Sequence, residues 1–180
     1  MEMDFLGLVS ARQSDRCYDT ERPVEQEKLE RILEAARLAP SACNAQPWKF
    51  VVVTDPELAQ RMGKADASIG MNKFAVQAPV HIVVVEETPN FTSFIGGKIK
   101  RKHFPQVDIG IAAAHIVLAA ENEGLGSCML GWFDENEIKK LLGIPSSRRV
   151  LLDILIGYPL KEKRKKSRKP SEKVVSYNHY

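Results

Sequence analysis

Three stretches of this 180-residue chain gather side chains able to hold a polar, anionic ligand. The first is Arg12-Gln13-Ser14-Asp15-Arg16. In extended backbone, residues two apart face the same way, so Arg12, Ser14 and Arg16 share a side. Two guanidinium forks flanking a hydroxyl match the oxygens of a terminal phosphate in geometry and charge. An ordinary charged turn would use the same residue types, and spacing alone leaves both readings open. The second stretch is Pro40-Ser41-Ala42-Cys43-Asn44-Ala45-Gln46-Pro47-Trp48, a loop that offers hydroxyl, amide and free backbone groups to a polar heterocycle. Ser41 and Asn44 equally suit a turn in which they bond their own backbone. The third is the basic block from Lys161 to Lys173, where Lys166 and Arg168 stand among Lys161, Lys163, Arg164, Lys165, Lys169 and Lys173, opposed by Glu162 and Glu172. Such a block is a solvated surface, with Lys165 as a typical member, or a contact for nucleic acid or membrane. The following Val174-Val175-Ser176-Tyr177 reads as a short strand, which would fix Arg168 in place.

Nucleophile and metal readings find little support in local spacing. His81, His103, His115 and His179 show no H-x-x-x-H or H-E-x-x-H pattern, so no metal ligands are assigned. His115, among Ile111, Ala112, Val117 and Leu118, reads as a core or interface histidine. Cys43 lies in the loop but has no evident partner base. Cys17, Cys43 and Cys128 are an odd, scattered set without C-x-x-C, which fits a reducing compartment. Gly124-Leu125-Gly126-Ser127-Cys128-Met129 fails as a dinucleotide fingerprint, because it follows a helix and precedes a strand.

The elements that must position these residues alternate. Apolar periodicity and capping residues predict helices at Phe5–Ala11, Val24–Ala39, Pro56–Lys64, Asp108–Glu123 and Asp134–Leu142. Pro40 ends the second helix, since proline lacks an N–H and restricts the residue before it. Strands are predicted at Lys49–Thr54, Val80–Glu86, Ser127–Leu130 and Val150–Gly157. Ile82-Val83-Val84-Val85 is too apolar for a sheet with one wet face, so helices should cover both sides. The expectation is α+β: a three-layer α/β/α domain. Residues 88–106, with Phe91, Phe94, Gly96-Gly97 and Phe104, read as a surface connection or as a lid over a pocket.

Length and a hydrophobic share of 44% suit a single domain over residues 1–180, with a basic extension at 161–180. Glu2 and Asp4 stand where a secretory signal would be basic. The apolar run Ile109–Ala120 falls short of the roughly 20 residues that cross a bilayer. These features point to the cytoplasm.

Taken together, the three stretches resemble the nitroreductase family. Ala39 to Trp48 is similar to its P-S-x-x-N-x-Q-P-W segment, Arg12 to Tyr18 to its R-R-S-x-R-x-F opening, and Lys166-Ser167-Arg168-Lys169-Pro170 to its K-x-R-x-P closing motif. The resemblance implies a mostly antiparallel central sheet flanked by helices, and a homodimer with FMN at its interface. It implies that Arg12, Ser14, Arg16, Lys166 and Arg168 hold the FMN phosphate, with Gln13 reaching the flavin edge. Pro40, Ser41 and Asn44 would approach the ring or ribityl chain from the opposite subunit. Asn72 would reach the ring, and backbone N–H groups at Leu130 and Gly131 would face flavin N5. Ala42 and Gln13 depart from the residues usual at their positions.

The activity so implied is transfer of reducing equivalents from NAD(P)H to nitroaromatics, quinones or similar small acceptors by a ping-pong mechanism. The cofactor carries the chemistry, so no acid–base or nucleophile set is assigned. The same fold also serves flavin fragmentation, dehalogenation and azoline oxidation. A nucleic-acid-binding module built on the basic block is the rival of another class, but it lacks interleaved aromatics. A flavin would colour the protein yellow.

Overall fold

In the computed structural model, which describes residues 4–68, 70–87 and 103–180, local capping chemistry sets most helix starts. The Asp4 carboxylate accepts from the Gly7 N–H at 2.6 Å and opens α1 (Phe5–Ala11). Asp55 accepts from the Leu58 N–H at 2.8 Å and opens α3 (Pro56–Ala67), with proline in the first turn where no N–H is needed. The intervening α2 (Gln26–Arg37) buries Leu29, Ile32 and Ala36 on one stripe. After it, α4 (Phe104–Asn122) begins at a Phe-Pro step, and α5 (Glu135–Leu142) starts at an Asp134 cap and stops at Gly143, whose φ is 64°.

The strands are β1 (Trp48–Val53), β2 (Val80–Glu86), β3 (Gly126–Leu130) and β4 (Arg149–Gly157). They form a sheet in the order β1-β2-β4-β3, every pair antiparallel. Alternation sends Val80, Ile82, Val84, Ile154 and Ile156 to one face, against Leu29 and Ile32 of α2 and Ile116 and Ala120 of α4. Val83, Val85 and Val150 go to the other face, against Met62 of α3 and Ile138 of α5. Both faces are therefore covered, as the unbroken valine run in β2 requires. Gly63 lets α3 lie on a 3-10 turn at Lys73–Gln77, for a Cβ there would come within 2.5 Å of the Val76 Cα.

Three expectations need correction. Residues 174–177 form no strand: a 3-10 turn at Ser171–Lys173 ends in exposed coil, and Val174 and Tyr177 have no strand partner among the described residues. The long helix starts at Phe104, earlier than Asp108, because Pro105 is tolerated in a first turn. Residues 104–106 are thus helix; the rest of the lid expectation, with Phe91 and Phe94, lies outside the described residues. At 19 residues and a mean hydropathy of 1.2, α4 is also long and apolar enough to cross a membrane. Here it packs against α2 and the sheet, burying Asp108, Ile109, Ala112, Ala113, Ile116, Val117 and Ala120.

Candidate functional site

Past α1, the chain runs along the outer edge of β3. The Asp15 N–H donates to the Ser127 carbonyl at 2.8 Å, and Ser14 forms a parallel bridge with Ser127. Tyr18, 1% exposed, locks the segment from within by donating its hydroxyl to the Asp15 carbonyl at 2.8 Å. After β4 the C-terminal segment turns back beside it. Tyr18 bridges Pro159, and the Leu160 N–H donates to the Cys17 carbonyl at 3.2 Å. Further on, the Arg164 guanidinium donates to the Ser14 carbonyl at 2.7 Å, and the Lys166 ammonium donates to the Arg12 carbonyl. Residues some 150 positions apart in sequence are thus laced together at this edge.

Between the two segments lies a cavity of about 320 Å³. Arg12, Gln13, Ser14 and Arg16 line one side and residues 164–168 the other. The lining includes the cations Arg12, Arg16, Arg164, Lys165, Lys166 and Arg168 and no carboxylate. Lost hydration, then the Arg12 and Arg168 guanidiniums, push the Lys166 ammonium below its usual pKa. An anion in the cavity would relieve that repulsion. A larger cavity of about 610 Å³ elsewhere has Glu21 and Glu57 in its lining and no cation, the wrong sign for a phosphate.

The structure therefore brings Arg12, Ser14, Arg16, Lys166 and Arg168 together, as the motifs suggest. It adds Arg164 and Lys165, which sequence reasoning placed in a solvated run. Gln13 is mostly buried and its amide is engaged inward: Nε2 donates to Asp15 Oδ1 at 2.7 Å, and Oε1 accepts from the Arg164 N–H at 3.0 Å. These bonds position the C-terminal segment, and Gln13 also lines the cavity. Gly126 makes room for this knot, since a Cβ there would stand 2.8 Å from Asp15 Oδ2.

The Pro40–Trp48 loop is preset by its own turns and by α4. The Ser41 hydroxyl accepts from the Gln46 N–H at 2.9 Å, and Asp108 accepts from the Ala42 N–H at 3.1 Å. Cys43, Asn44 and Gln46 all adopt positive φ, between 47° and 52°. Pro40 and Asn44 are exposed and Ser41 half-buried, and none of the three lines the cationic cavity. Asn72, with φ of 53°, donates its side-chain amide to the Trp132 carbonyl at 2.8 Å. It thereby braces the turn after Leu130 and Gly131. Leu130 is buried at the end of β3, whereas Gly131 is exposed and a Cβ on it would meet open space. His115 is half-buried, and its Nδ1 lies 3.0 Å from the Ala35 carbonyl.

One cluster escaped local spacing altogether. Asp66 of α3, His81 of β2 and Asp153 of β4 meet beneath the sheet, each 0% exposed. His81 Nδ1 lies 2.7 Å from Asp153 Oδ2 and 3.6 Å from Asp66 Oδ2. Burial, then the charge and hydrogen bond of Asp153, push the Asp66 carboxyl up to about 9. The signal was a histidine and an aspartate inside the apolar strands β2 and β4 and an aspartate on the buried face of the otherwise mixed helix α3, legible only once the register is known.

Comparison with known proteins finds relatives over most of the chain. The sequence model of the nitroreductase family matches residues 9–158. The FMN reductase [NAD(P)H] of Bacillus subtilis is 33% identical over 189 aligned residues, covering 98% of this chain and 74% of that protein. Iodotyrosine deiodinase 1 of Rattus norvegicus is 28% identical, covering 87% of this chain and 62% of that longer protein. Among solved structures, an FMN-dependent nitroreductase from Clostridium difficile R20291 superposes with a TM-score of 0.81 at 30% identity, covering 98% of this chain and all of that one.

Proposed function

The chain belongs to the nitroreductase family, and from that premise we propose that its cationic cavity holds the phosphate of FMN. The protein is an NAD(P)H-dependent, FMN-using oxidoreductase. The single observation that carries the phosphate assignment is the cavity itself, where six cations surround a space without a carboxylate. Arginine forks and a serine hydroxyl fit the oxygens of a phosphomonoester.

When bound, FMN would supply the hydride- and electron-transfer chemistry that links a nicotinamide to a second substrate. The chain's own task is to bind and orient. Arg12, Arg16, Lys166 and Arg168 neutralise the phosphate, while Gln13 and Asp15 hold Arg164 and the N-terminal segment in register. Backbone N–H groups at Leu130 and Gly131, braced by Asn72, would face the ring. Pro40, Ser41 and Asn44 would reach the ring or ribityl chain of the partner's cofactor. A homodimer is supported by exposed apolar residues on two packed helices: Phe5, Leu6 and Val9 of α1 and Val107 of α4. The long apolar helix α4 gives a second copy a suitable face.

Nitroaromatics and quinones are the acceptors that suit this reading, in ping-pong turnover in the cytoplasm. The test is anaerobic. NADH or NADPH alone should bleach the visible flavin band, and a nitroaromatic or quinone should restore it. A flavin-loaded protein that neither nicotinamide reduces would contradict the reductase reading. Similarity to the deiodinase favours a second reading, reductive dehalogenation. Dithionite-reduced protein that releases iodide from an iodotyrosine, while ignoring quinones, would decide for it.

A further inference from the structure

We propose that Asp66, His81 and Asp153 form a binding site for a first-row divalent metal ion, one that ties α3 to strands β2 and β4. The site lies outside the cationic cavity and does not depend on the flavin reading.

Donor set, geometry and charge each argue for it. One imidazole and two carboxylates are the nitrogen and oxygen ligands that zinc, manganese and ferrous iron accept. Each residue offers a ligand atom, and these atoms lie within 4.8 Å of one another. Two atoms each held about 2.0–2.2 Å from one ion stand at most roughly 4.4 Å apart. The two separations from His81 Nδ1, 2.7 and 3.6 Å, fall inside that limit, and the 4.8 Å bound on the Asp66–Asp153 pair is within a small side-chain adjustment of it.

The cluster is also short of partners. Apart from the contact of Asp66 with Asp153 itself, both oxygens of Asp66 and Oδ1 of Asp153 are buried without a hydrogen-bond donor among the described residues. No lysine or arginine among the described residues makes an ion pair with either carboxylate; His81 alone does. Unpartnered buried carboxylate oxygens are costly. A divalent cation would neutralise two carboxylates around a neutral imidazole and occupy those oxygens.

Location indicates what the ion would do. Asp153 stands opposite Val83 in β2 and opposite Leu130 in β3. The Ala65 carbonyl, one residue before Asp66, accepts from the Asp134 N–H at 3.1 Å. An ion here would pin α3 beneath the end of β3 and the turn that follows. Complete burial means that it would enter as the chain folds, so its binding would add to folding stability.

The experiment uses the full-length, flavin-loaded protein. It is expressed with added zinc or manganese, dialysed against metal-free buffer and assayed by elemental mass spectrometry. The expected result is a single ion per chain, lost in Asp66→Asn and kept in His103→Ala and His179→Ala, which remove exposed histidines. Because a core substitution can prevent folding, the unaltered protein supplies a second measurement. Unfolded in a chelator and refolded with Zn²⁺ or Mn²⁺, it should melt at a higher temperature than when refolded without metal. Refolded with Co²⁺, it should show ligand-field absorption at longer wavelength than the flavin band. Absence of bound metal, with no gain in Tm on refolding, would overturn the proposal and leave a proton-bridged cluster. Metal that survives Asp66→Asn but disappears with His103→Ala would equally overturn it, by moving the ion to the surface.

Discussion

Arg168 and Gln13 sit at the same edge and do different work. Arg168 lines the cavity with its guanidinium exposed, so its contribution is charge and hydrogen bonding to whatever anion binds there. A hydrogen bond to a charged group contributes about 1.5–3 kcal/mol. Arg168→Glu should therefore weaken FMN binding by at least roughly tenfold, a factor that corresponds to about 1.4 kcal/mol. Lys173→Glu is the proper control, in the same basic block but outside the cavity lining; Lys165 is not, since it lines the cavity. Equal effects of the two reversals in a flavin titration would retire the phosphate role of Arg168. Gln13 acts through the fold. Gln13→Leu removes the donor to Asp15 and the acceptor for the Arg164 N–H, leaving the buried Asp15 carboxylate without its partner. A cost of about 1–3 kcal/mol in urea unfolding is expected, the usual penalty for such a group.

At the scale of elements, α5 is fastened to the start of β4 through one carboxylate. Glu135 accepts from the Val150 N–H at 2.9 Å and pairs with Lys139 at 2.8 Å and Arg149 at 3.0 Å. Burial alone would raise its pKa, but Lys139, the Val150 N–H and Arg149 outweigh it and bring the carboxyl down from 4.5 to about 2. A carboxylate depressed by folding stabilises fully above its unfolded pKa and loses that contribution as pH falls through the folded value. Glu135→Gln should thus be less stable than the parent at pH 6, and the gap should close between about pH 4.5 and 2. Urea unfolding across that range measures it; a gap independent of pH would exclude the charge effect. On the same side of the sheet, Gly63→Ala should push α3 off the Lys73–Gln77 turn, with a loss of about 1–3 kcal/mol from overpacking. Elements of this kind were largely legible: the capping residues Asp55-Pro56 and Asp134 are local signals, and the valine run of β2 demanded cover on both faces. Arg12, Ser14, Arg16 and Arg168 were legible as motifs. Register and long-range approach were not. The His81 cluster and the turn of Gln13 toward Arg164 depend on residues far apart in sequence, and the exposed coil at 174–177 shows β-branched residues without a partner strand to hold them.

For the molecule as a whole, the apolar residues left exposed on α1 and α4 are the face that the proposed dimer would use. Phe5 and Leu6 are 68% and 74% exposed in the single chain, an arrangement that a second copy would cover. Sedimentation of the flavin-loaded protein should show a dimer, and Leu6→Asp should shift it toward monomer with loss of flavin; a monomer that keeps its flavin would contradict a shared site. The lacing of Arg12–Ser14 to Arg164–Lys166 has a consequence in time as well as in space. During synthesis the sheet residues through Gly157 emerge before the segment that completes the cavity, and domains assemble as their chain becomes available. Until residues 164–168 are made and exposed, the chain has residues 12–16, one wall of the proposed phosphate site, and lacks the opposite one. On the phosphate reading, cofactor capture would wait until residues 164–168 have emerged and folded back beside residues 12–16.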